Sequence, residues 1–180
     1  MRDPRARESS SQLRLGFTRF DDVPKPTLSA GYGLRTFRPG DEDAWIAILN
    51  TADFGAWDRA RLGRMLSGDR APMPYEGIFF ATKDDRPVGV ACTFFYRHDD
   101  PPAAEIGWVA VLPEHQGQRL ARTICAAALC FIQDHAYKYA FLKTEHYRTA
   151  AIKTYLALGF QPEIVDPAQV AWWAEFLRSL

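Results

Sequence analysis

Residues 105–122 read EIGWVAVLPEHQGQRLAR, and this stretch decides how the chain is expected to fold. Its first seven residues are mostly apolar, as in a buried strand. A polar loop with one glycine, Gly117, follows, and an alanine-rich run then predicts a helix from Gln118 to about His135. A helix that starts directly after a strand offers backbone N–H groups to an anion such as a phosphate or pyrophosphate. Taken alone, a glycine at such a junction more often serves turn geometry only.

Strand and helix patterns alternate along the rest of the chain. Runs rich in β-branched and aromatic residues predict strands, and an apolar period of 3.6 predicts helices. The strands are expected at 33–39, 78–82, 87–96, 105–111, 139–144 and 161–165. The helices are expected after Asp41, which would act as a cap, at 57–66, 118–135 and 149–158, and after Pro167, with a stripe of Val170, Trp173, Ala174 and Leu177. This order predicts an α/β (α+β) class, with helices packed against a mixed sheet.

The amino-terminal segment differs in composition from the rest. Residues 1–30 mix arginine, serine, proline and glycine without a period, so a loosely ordered lead-in is expected before a single domain at 31–180. Its first twenty residues contain five arginines against two carboxylates, which fits a solvated basic tail or a polyanion-binding arm. The arginines are Arg2, Arg5, Arg7, Arg14 and Arg19.

Charge and cysteine content exclude several classes of protein. The formal net charge of the 180 residues is zero, so no global field favours nucleic acid or an anionic membrane. No apolar run is long enough to cross a bilayer. Cys92, Cys125 and Cys130 form no C-x-x-C pair, so we expect reduced core residues and a cytoplasmic location. The four histidines lack metal-ligand spacing, and no metal is expected.

Two short motifs carry a family resemblance. Residues 116–121, QGQRLA, follow [Q/R]-x-x-G-x-[G/A] at the start of the long helix except at the fourth place. Tyr155 stands four residues before Gly159 and Phe160 near the end of the next helix. In both features the chain resembles the GNAT superfamily of acyl-CoA-dependent N-acyltransferases. It departs from that pattern at Arg119, where the family has glycine, and at Arg148, where asparagine is usual.

The resemblance covers roughly residues 33–165 and implies a fold, an activity and a donor. The implied fold is a mixed, mostly antiparallel sheet with flanking helices. The implied reaction moves an acetyl group from acetyl-CoA to a primary amine of a small molecule or peptide, by direct attack in a ternary complex. Backbone amides of 117–122 would hold the CoA pyrophosphate, and 109–111 would pair with the pantetheine arm. The implied cofactor-binding residues are Val109, Ala110, Val111, Gln116, Gly117, Gln118, Arg119, Leu120, Ala121 and Arg122.

The reaction needs a base, because an alkylamine with a pKa of about 10.4 is protonated at neutral pH. Glu105 begins the strand before the loop, where several family members carry a general-base glutamate. An ordinary glutamate, with a pKa of about 4.3, would need burial or a relaying water for this work. An exposed carboxylate at a strand edge is an equally good reading of Glu105, and His98, His115 and His146 are substitutes.

Two further roles follow from the same reaction. Negative charge that develops on the thioester oxygen could be received by a backbone N–H of Val109 or Ala110. The departing thiolate, whose conjugate acid has a pKa near 8.5, could take a hydrogen bond or a proton from the phenol of Tyr155. Outside the family context, a tyrosine on an amphipathic helix is usually a core residue.

The acceptor and the assembly are less constrained. The resemblance places the acceptor pocket at the first two helices and the 97–103 loop, which offer Trp57, Arg59, His98, Asp99 and Asp100. Trp172 and Trp173 could cover an apolar face in a homodimer. Because Arg119 and Arg148 replace expected residues, the alternative is a non-catalytic CoA-binding sensor or interaction domain of the same fold.

Overall fold

The computed structural model describes residues 12–52, 54–67 and 72–180, and its strands there form one sheet. They are β1 (Gln12–Phe17), β2 (Tyr32–Thr36), β3 (Ile78–Lys83), β4 (Arg86–Tyr96), β5 (Ala103–Val111), β6 (Ala140–Glu145) and β7 (Gln161–Glu163). Their order across the sheet is β2-β3-β4-β5-β6-β1-β7. Every neighbouring pair is antiparallel except β5 and β6. The prediction of a mixed, mostly antiparallel sheet is therefore confirmed.

The helices of the described residues cover both faces of this sheet. They are α1 (Glu42–Thr51), α2 (Arg59–Leu66), α3 (Leu120–Asp134), α4 (Thr149–Leu158) and α5 (Gln169–Arg178). Apolar residues of α1 and α2 belong to one buried cluster, and those of α3, α4 and α5 belong to another. None of these helices has both the length and the apolar character that a bilayer crossing requires.

Strand β1 lies within the segment expected to be a loosely ordered lead-in, so that prediction is wrong for residues 12–17. Leu13, Leu15 and Phe17 alternate with Arg14 and Gly16, which is a strand period set among polar neighbours. The three apolar side chains are buried, Leu15 completely. The strand pairs with both β6 and β7, so it lies inside the sheet. Residues 1–11 lie outside the described part of the chain.

Two details of the predicted helices also need correction. Asp41 precedes α1 but makes no side-chain cap, because its carboxylate accepts hydrogen bonds from Arg35 instead. On α5 the buried positions include Trp173 and Phe176, whereas Val170 and Leu177 of the expected stripe are exposed. The helical period of α5 is as predicted, but its buried face lies part of a turn away from the predicted stripe.

Candidate active site

The centre of the sheet opens between its two parallel strands. β5 and β6 pair at only two positions, Ala104 with Ala140 and Glu105 with Phe141. Beyond Glu105, β5 runs on to Val111 beside β4 alone. A wedge therefore separates the carboxyl-terminal halves of β5 and β6, and Glu105 lies at its apex.

A bulge in β5 lies on one wall of the wedge. The register against β4 shifts between Val90 and Cys92, so Trp108 and Val109 together face the single residue Ala91. Trp108 has a φ of 54°, a left-handed conformation that is unusual for a bulky side chain. The backbone of these two residues is thus taken out of the regular ladder, next to the wedge.

Aromatic contacts hold this bulge in place. The indole of Trp108 meets Trp57 edge to face at 4.8 Å between ring centroids, and it meets Phe54 in the same way at 5.4 Å. The guanidinium of Arg61 lies 4.0 Å from the ring centroid of Trp57 and 6.0 Å from that of Trp108. Such packing can stabilise a conformation that costs on the order of 1–3 kcal/mol in isolation.

The loop after β5 has the geometry of an anion site. Gly117 has a φ of 75°, and a Cβ added there would meet no atom within 4 Å, so the loop surface is open at this point. Arg119 precedes α3 with a φ of 58°, and no side chain caps the helix. The N–H groups of the first turn are therefore available to an anion. The side-chain amide of Gln116 donates to Val111 O at 3.1 Å, so this donor stabilises the loop itself.

A cavity of about 580 Å³, which we call the loop cavity, lies over this junction. It touches nine of the ten residues expected to bind CoA; Gln118 is the tenth, and its carbonyl accepts a hydrogen bond from Ser29. The lining residues are Ala52, Val109, Ala110, Val111, His115, Gln116, Gly117, Arg119, Leu120, Ala121, Arg122, Tyr147, Arg148, Thr149, Ala150, Ala151, Thr154 and Tyr155.

A second cavity of about 370 Å³, the wedge cavity, occupies the space between β5 and β6. Its lining residues are Gln12, Phe54, Glu105, Ile106, Gly107, Trp108, Val109, Lys143, Thr144, Glu145, Tyr147, Arg148, Ala151 and Tyr155. Five residues line both cavities, namely Val109, Tyr147, Arg148, Ala151 and Tyr155. The two spaces therefore adjoin, and the side chains of Val109 and Tyr155 lie where they meet.

Glu105 is buried in the wedge rather than exposed at a strand edge. Only 4% of its surface is accessible, and its Oε2 accepts a 2.6 Å hydrogen bond from the hydroxyl of Tyr96 on β4. This bond fixes one carboxylate oxygen, and the side chain lines the wedge cavity. The exposed alternative considered for Glu105 is therefore wrong.

Tyr155 projects from α4 to the junction of the two cavities. It is 5% exposed, and its hydroxyl has no hydrogen-bond partner among the described residues. Burial raises the pKa of this phenol well above its usual range, which keeps it protonated. The N–H of Phe160 donates to Tyr155 O and the N–H of Gly159 to Leu156 O, closing the helix with Gly159 at a φ of 99°. The spacing from Tyr155 to Gly159 therefore reflects the end of the helix, and the hydrogen bonds at this end also fix the position of Tyr155.

Residues 42–160 match the family described as the Acetyltransferase (GNAT) family. The chain belongs to this family. It is 31% identical to a mycothiol acetyltransferase of Nocardia farcinica, over 83% of this chain and 52% of that protein. It is 32% identical to a mycothiol acetyltransferase of Streptomyces griseus, over 81% of this chain and 48% of that protein. The chain spans about half the length of these relatives.

A solved structure shares the GNAT fold. The GCN5-related N-acetyltransferase from Sphaerobacter thermophilus superposes with a TM-score of 0.69 at 21% identity. The match covers 88% of this chain and 52% of that one. At this identity the likeness concerns the fold alone.

Arg148, which replaces the asparagine usual in GNAT proteins, connects three elements around the cleft. Its Nε donates to Glu145 Oε2 at 2.7 Å and its Nη1 to Ala52 O at 2.9 Å. Its guanidinium also lies 4.7 Å from the ring centroid of Phe54. The side chain therefore ties the end of β6 and the start of α4 to the loop after α1.

The residues expected to bind the acceptor are only partly brought to the cleft. Trp57 packs behind Trp108, but Arg59 is exposed and pairs with Asp43 at 2.6 Å. Neither cavity is lined by His98, Asp99 or Asp100. Of the substitute bases, the one that lines a cavity is His115, whose Nδ1 lies 3.1 Å from the Tyr32 hydroxyl.

Sequence reasoning missed several side chains of the wedge cavity. They are Gln12, Phe54, Trp108, Glu145 and Tyr147, together with Tyr96 behind Glu105. For Gln12 a signal existed, because the alternation of β1 places every second side chain on one face. For Trp108 no local pattern indicates a bulge, since the flanking residues read as a regular strand.

The buried cysteines are poorly suited to nucleophilic chemistry. Burial raises the pKa of the Cys125 thiol to about 12 and that of Cys92 well above its usual range. No cysteine or serine is among the described residues that line either cavity. Within the described part of the chain, no group of three histidine, cysteine or acidic side chains is placed to hold a metal.

Proposed function

We propose that the protein is an N-acyltransferase that moves an acetyl group from acetyl-CoA to a primary amine of a small molecule or peptide. The observation that carries the proposal is the continuity of the cleft. One end has the uncapped start of α3, and the other has the buried carboxylate of Glu105. Val109 and Tyr155 lie between them, where the two cavities adjoin.

The residues present fit acetyl-CoA as the donor. The open surface at Gly117 and the N–H groups that start α3 suit a pyrophosphate, and Arg119 and Arg122 add positive charge. The edge of β5 from Val109 to Val111 lines the same cavity and could pair with an extended amide-containing arm. Acetyl-CoA supplies an activated thioester, and the chain supplies its position and the proton transfers.

The proposed proton path uses Glu105 and Tyr155. Glu105 accepts the proton of the acceptor ammonium, directly or through a water, while Tyr96 holds its other oxygen. Tyr155, kept neutral by burial, donates a hydrogen bond or a proton to the departing sulfur. The Val109 N–H, which belongs to the bulge, is the proposed donor to the developing oxyanion.

Direct attack in a ternary complex is the simplest sequence of steps. A covalent acyl-enzyme requires an activated nucleophile, and the described lining residues of the cleft include neither cysteine nor serine. The wedge cavity instead has room for a small amine beside Glu105. Its walls combine the aromatic rings of Phe54, Trp108 and Tyr147 with the carboxylate of Glu145.

The test is release of free CoA on incubation with acetyl-CoA and a panel of amines, with acetylated products identified by mass spectrometry. The names of the two relatives make amines related to mycothiol the first to include. Turnover with at least one amine supports the proposal. Saturable acetyl-CoA binding without turnover across the panel would favour the non-catalytic sensor, and absence of binding at millimolar acetyl-CoA would contradict both.

A further inference from the structure

The charged side chains of the wedge cavity leave one cation available to a ligand. Its lining includes Glu105, Lys143, Glu145 and Arg148. Glu145 and Arg148 form an ion pair at 2.7 Å, so their charges largely cancel. Lys143, in contrast, is in no ion pair with any residue of the described part of the chain. The cavity therefore has a carboxylate, Glu105, at its buried end and the ammonium of Lys143 nearer to solvent.

Lys143 stands two residues beyond the apex of the wedge. Glu105 of β5 is paired with Phe141 of β6, and Lys143 is on the same face as Phe141 because side chains alternate along a strand. Two residues of a strand span about 6.6 Å. The Nζ of Lys143 lies 5.5 Å from the ring centroid of Phe141, so the side chain leans toward the apex. A molecule with an amine at Glu105 thus has this ammonium within reach of a group only a few bonds from the amine.

A neighbouring cation on the same face is used differently. Arg14 lies opposite Lys143 in the register of β1 and β6. Its Nε is 2.8 Å from Glu163 Oε2, and its Nη2 donates to the hydroxyl of Tyr139 at 2.8 Å. Arg14 lines neither the wedge cavity nor the loop cavity. The charge of Arg14 is therefore neutralised within the sheet, whereas that of Lys143 remains for an anionic group in the wedge cavity.

We infer that the acceptor is a free α-amino acid, whose ammonium lies at Glu105 and whose carboxylate is bound by Lys143. An α-amino acid carries its carboxylate on the carbon that bears the amine, which matches the close spacing of the two side chains. The rings of Phe54, Trp108 and Tyr147 provide an apolar wall for its side chain, and about 370 Å³ is room for one such molecule. The amino terminus of a peptide leaves Lys143 without this partner. The inference rests on the proposed function, because the same amine must attack acetyl-CoA.

The test uses acceptors in matched pairs that differ only in the carboxylate: phenylalanine with phenethylamine, tyrosine with tyramine, and leucine with isopentylamine. Release of CoA by the full chain gives the ratio of the two kcat/KM values in each pair. In the wild type at least one ratio should exceed about tenfold in favour of the amino acid, because charge-assisted hydrogen bonds to a carboxylate are strong. This preference should decrease as salt rises, since Lys143 is exposed.

Lys143→Gln should reduce that ratio about tenfold, because it removes the charge that holds the carboxylate. Comparing the same pair in two proteins cancels the different basicities of its two amines. Lys143→Glu should reduce the ratio further, since it repels the carboxylate. Lys138→Gln is the control, because Lys138 is an exposed lysine that lines neither cavity, and it should retain the wild-type ratio. Thermal melting should show all four proteins folded.

The outcomes separate this inference from the proposed function. A ratio that is unchanged in Lys143→Gln, or wild-type turnover confined to peptides and to amines without a carboxylate, would overturn the inference and leave the proposed acetyl transfer intact. Absence of turnover with every amine tested would remove the proposed function, and the inference with it.

Discussion

Glu105 and Phe141 form the last paired position between the parallel strands β5 and β6. Beyond this pair the two strands separate and the sheet opens. The bulge at Trp108 and Val109 lies along the edge of β5 that this separation exposes. The carboxylate of Glu105 is therefore buried by the strands around it, yet it still borders a cavity. This combination, a buried acid at the apex of a ligand-sized space, is what makes Glu105 a candidate base.

Glu105→Gln should lower kcat/KM at pH 7 by about 100-fold, the effect of removing a general base. The variant can use only amine that is already neutral, and that fraction rises about tenfold per pH unit below the amine pKa of about 10.4. The gap between variant and wild type should therefore narrow between pH 7 and pH 9.5. Glu175→Gln, a change on the exposed side of α5, is the control. A loss that is the same at every pH would contradict the base role.

Tyr155→Phe should lower kcat by about 10- to 100-fold with little change in the KM for acetyl-CoA. The ring and its packing against Phe160 remain, so the melting temperature should stay within about 2 °C. Because burial holds the pKa of Tyr155 high, wild-type activity should show no loss from its ionisation up to about pH 10. Tyr137→Phe, which stacks on Phe95 away from the cleft, is the control. Unchanged kcat in Tyr155→Phe would remove the phenol from the mechanism.

Arg148→Ala should raise the KM for the acceptor by about tenfold and affect the KM for acetyl-CoA less. The loop after α1 contributes Phe54 to the wedge cavity. Arg148 holds this loop in place through a hydrogen bond to Ala52 O and a contact with the ring of Phe54. Loss of its partly buried ion pair should also cost about 1–2 kcal/mol of unfolding free energy. Arg59→Ala removes an exposed pair and should change neither quantity. An equal rise in both KM values would contradict this division of roles.

The loop before α3 and the position of Tyr155 were predictable from sequence because both depend on local backbone chemistry. Helix starts, helix stops and glycine positions are determined by residues within one or two turns. The loop cavity consequently lies over the residues that the motifs single out.

The wedge cavity was not predictable in the same way. The bulge at Trp108 depends on packing against Trp57 and Phe54, about fifty residues away in the chain. The wedge depends on how β6 diverges from β5, which no local pattern encodes. Strand β1 was the exception, because the alternation of Leu13, Leu15 and Phe17 carried a signal that polar neighbours concealed.

The ion pair of Asp41 with Arg35 predicts a dependence of stability on pH. Burial raises the pKa of Asp41, but hydrogen bonds from Arg35 and from the Arg38 N–H outweigh it and hold the pKa below the ordinary value of 3.8. A carboxylate with a lowered pKa stabilises the fold above pH 3.8, and the contribution disappears as pH falls through the folded-state pKa.

Asp41→Asn should therefore reduce the unfolding free energy at pH 7 by about 2–3 kcal/mol, since it leaves the guanidinium of Arg35 half paired. Urea titrations should show this difference shrinking once the pH is below about 3.8. Asp43→Asn, at an exposed ion pair, should have an effect under about 1 kcal/mol. A difference that persists unchanged at pH 2.5 would show that the charge of Asp41 is not its cause.

Arg119 is a non-glycine residue with a φ of 58° that lines the proposed anion site. Substitutions at this position can therefore distinguish the effect of backbone strain from that of the side-chain charge. Left-handed backbone costs a side-chain-bearing residue about 1–2 kcal/mol, and glycine loses about 0.5–1 kcal/mol in chain entropy on folding. Arg119→Gly should therefore raise the unfolding free energy by up to about 1 kcal/mol, whereas Arg119→Ala, which keeps the strain, should not. Both variants should bind CoA about three- to tenfold more weakly if the guanidinium contacts a phosphate. Tighter binding by the glycine variant alone would instead mean that the side chain crowds the phosphates.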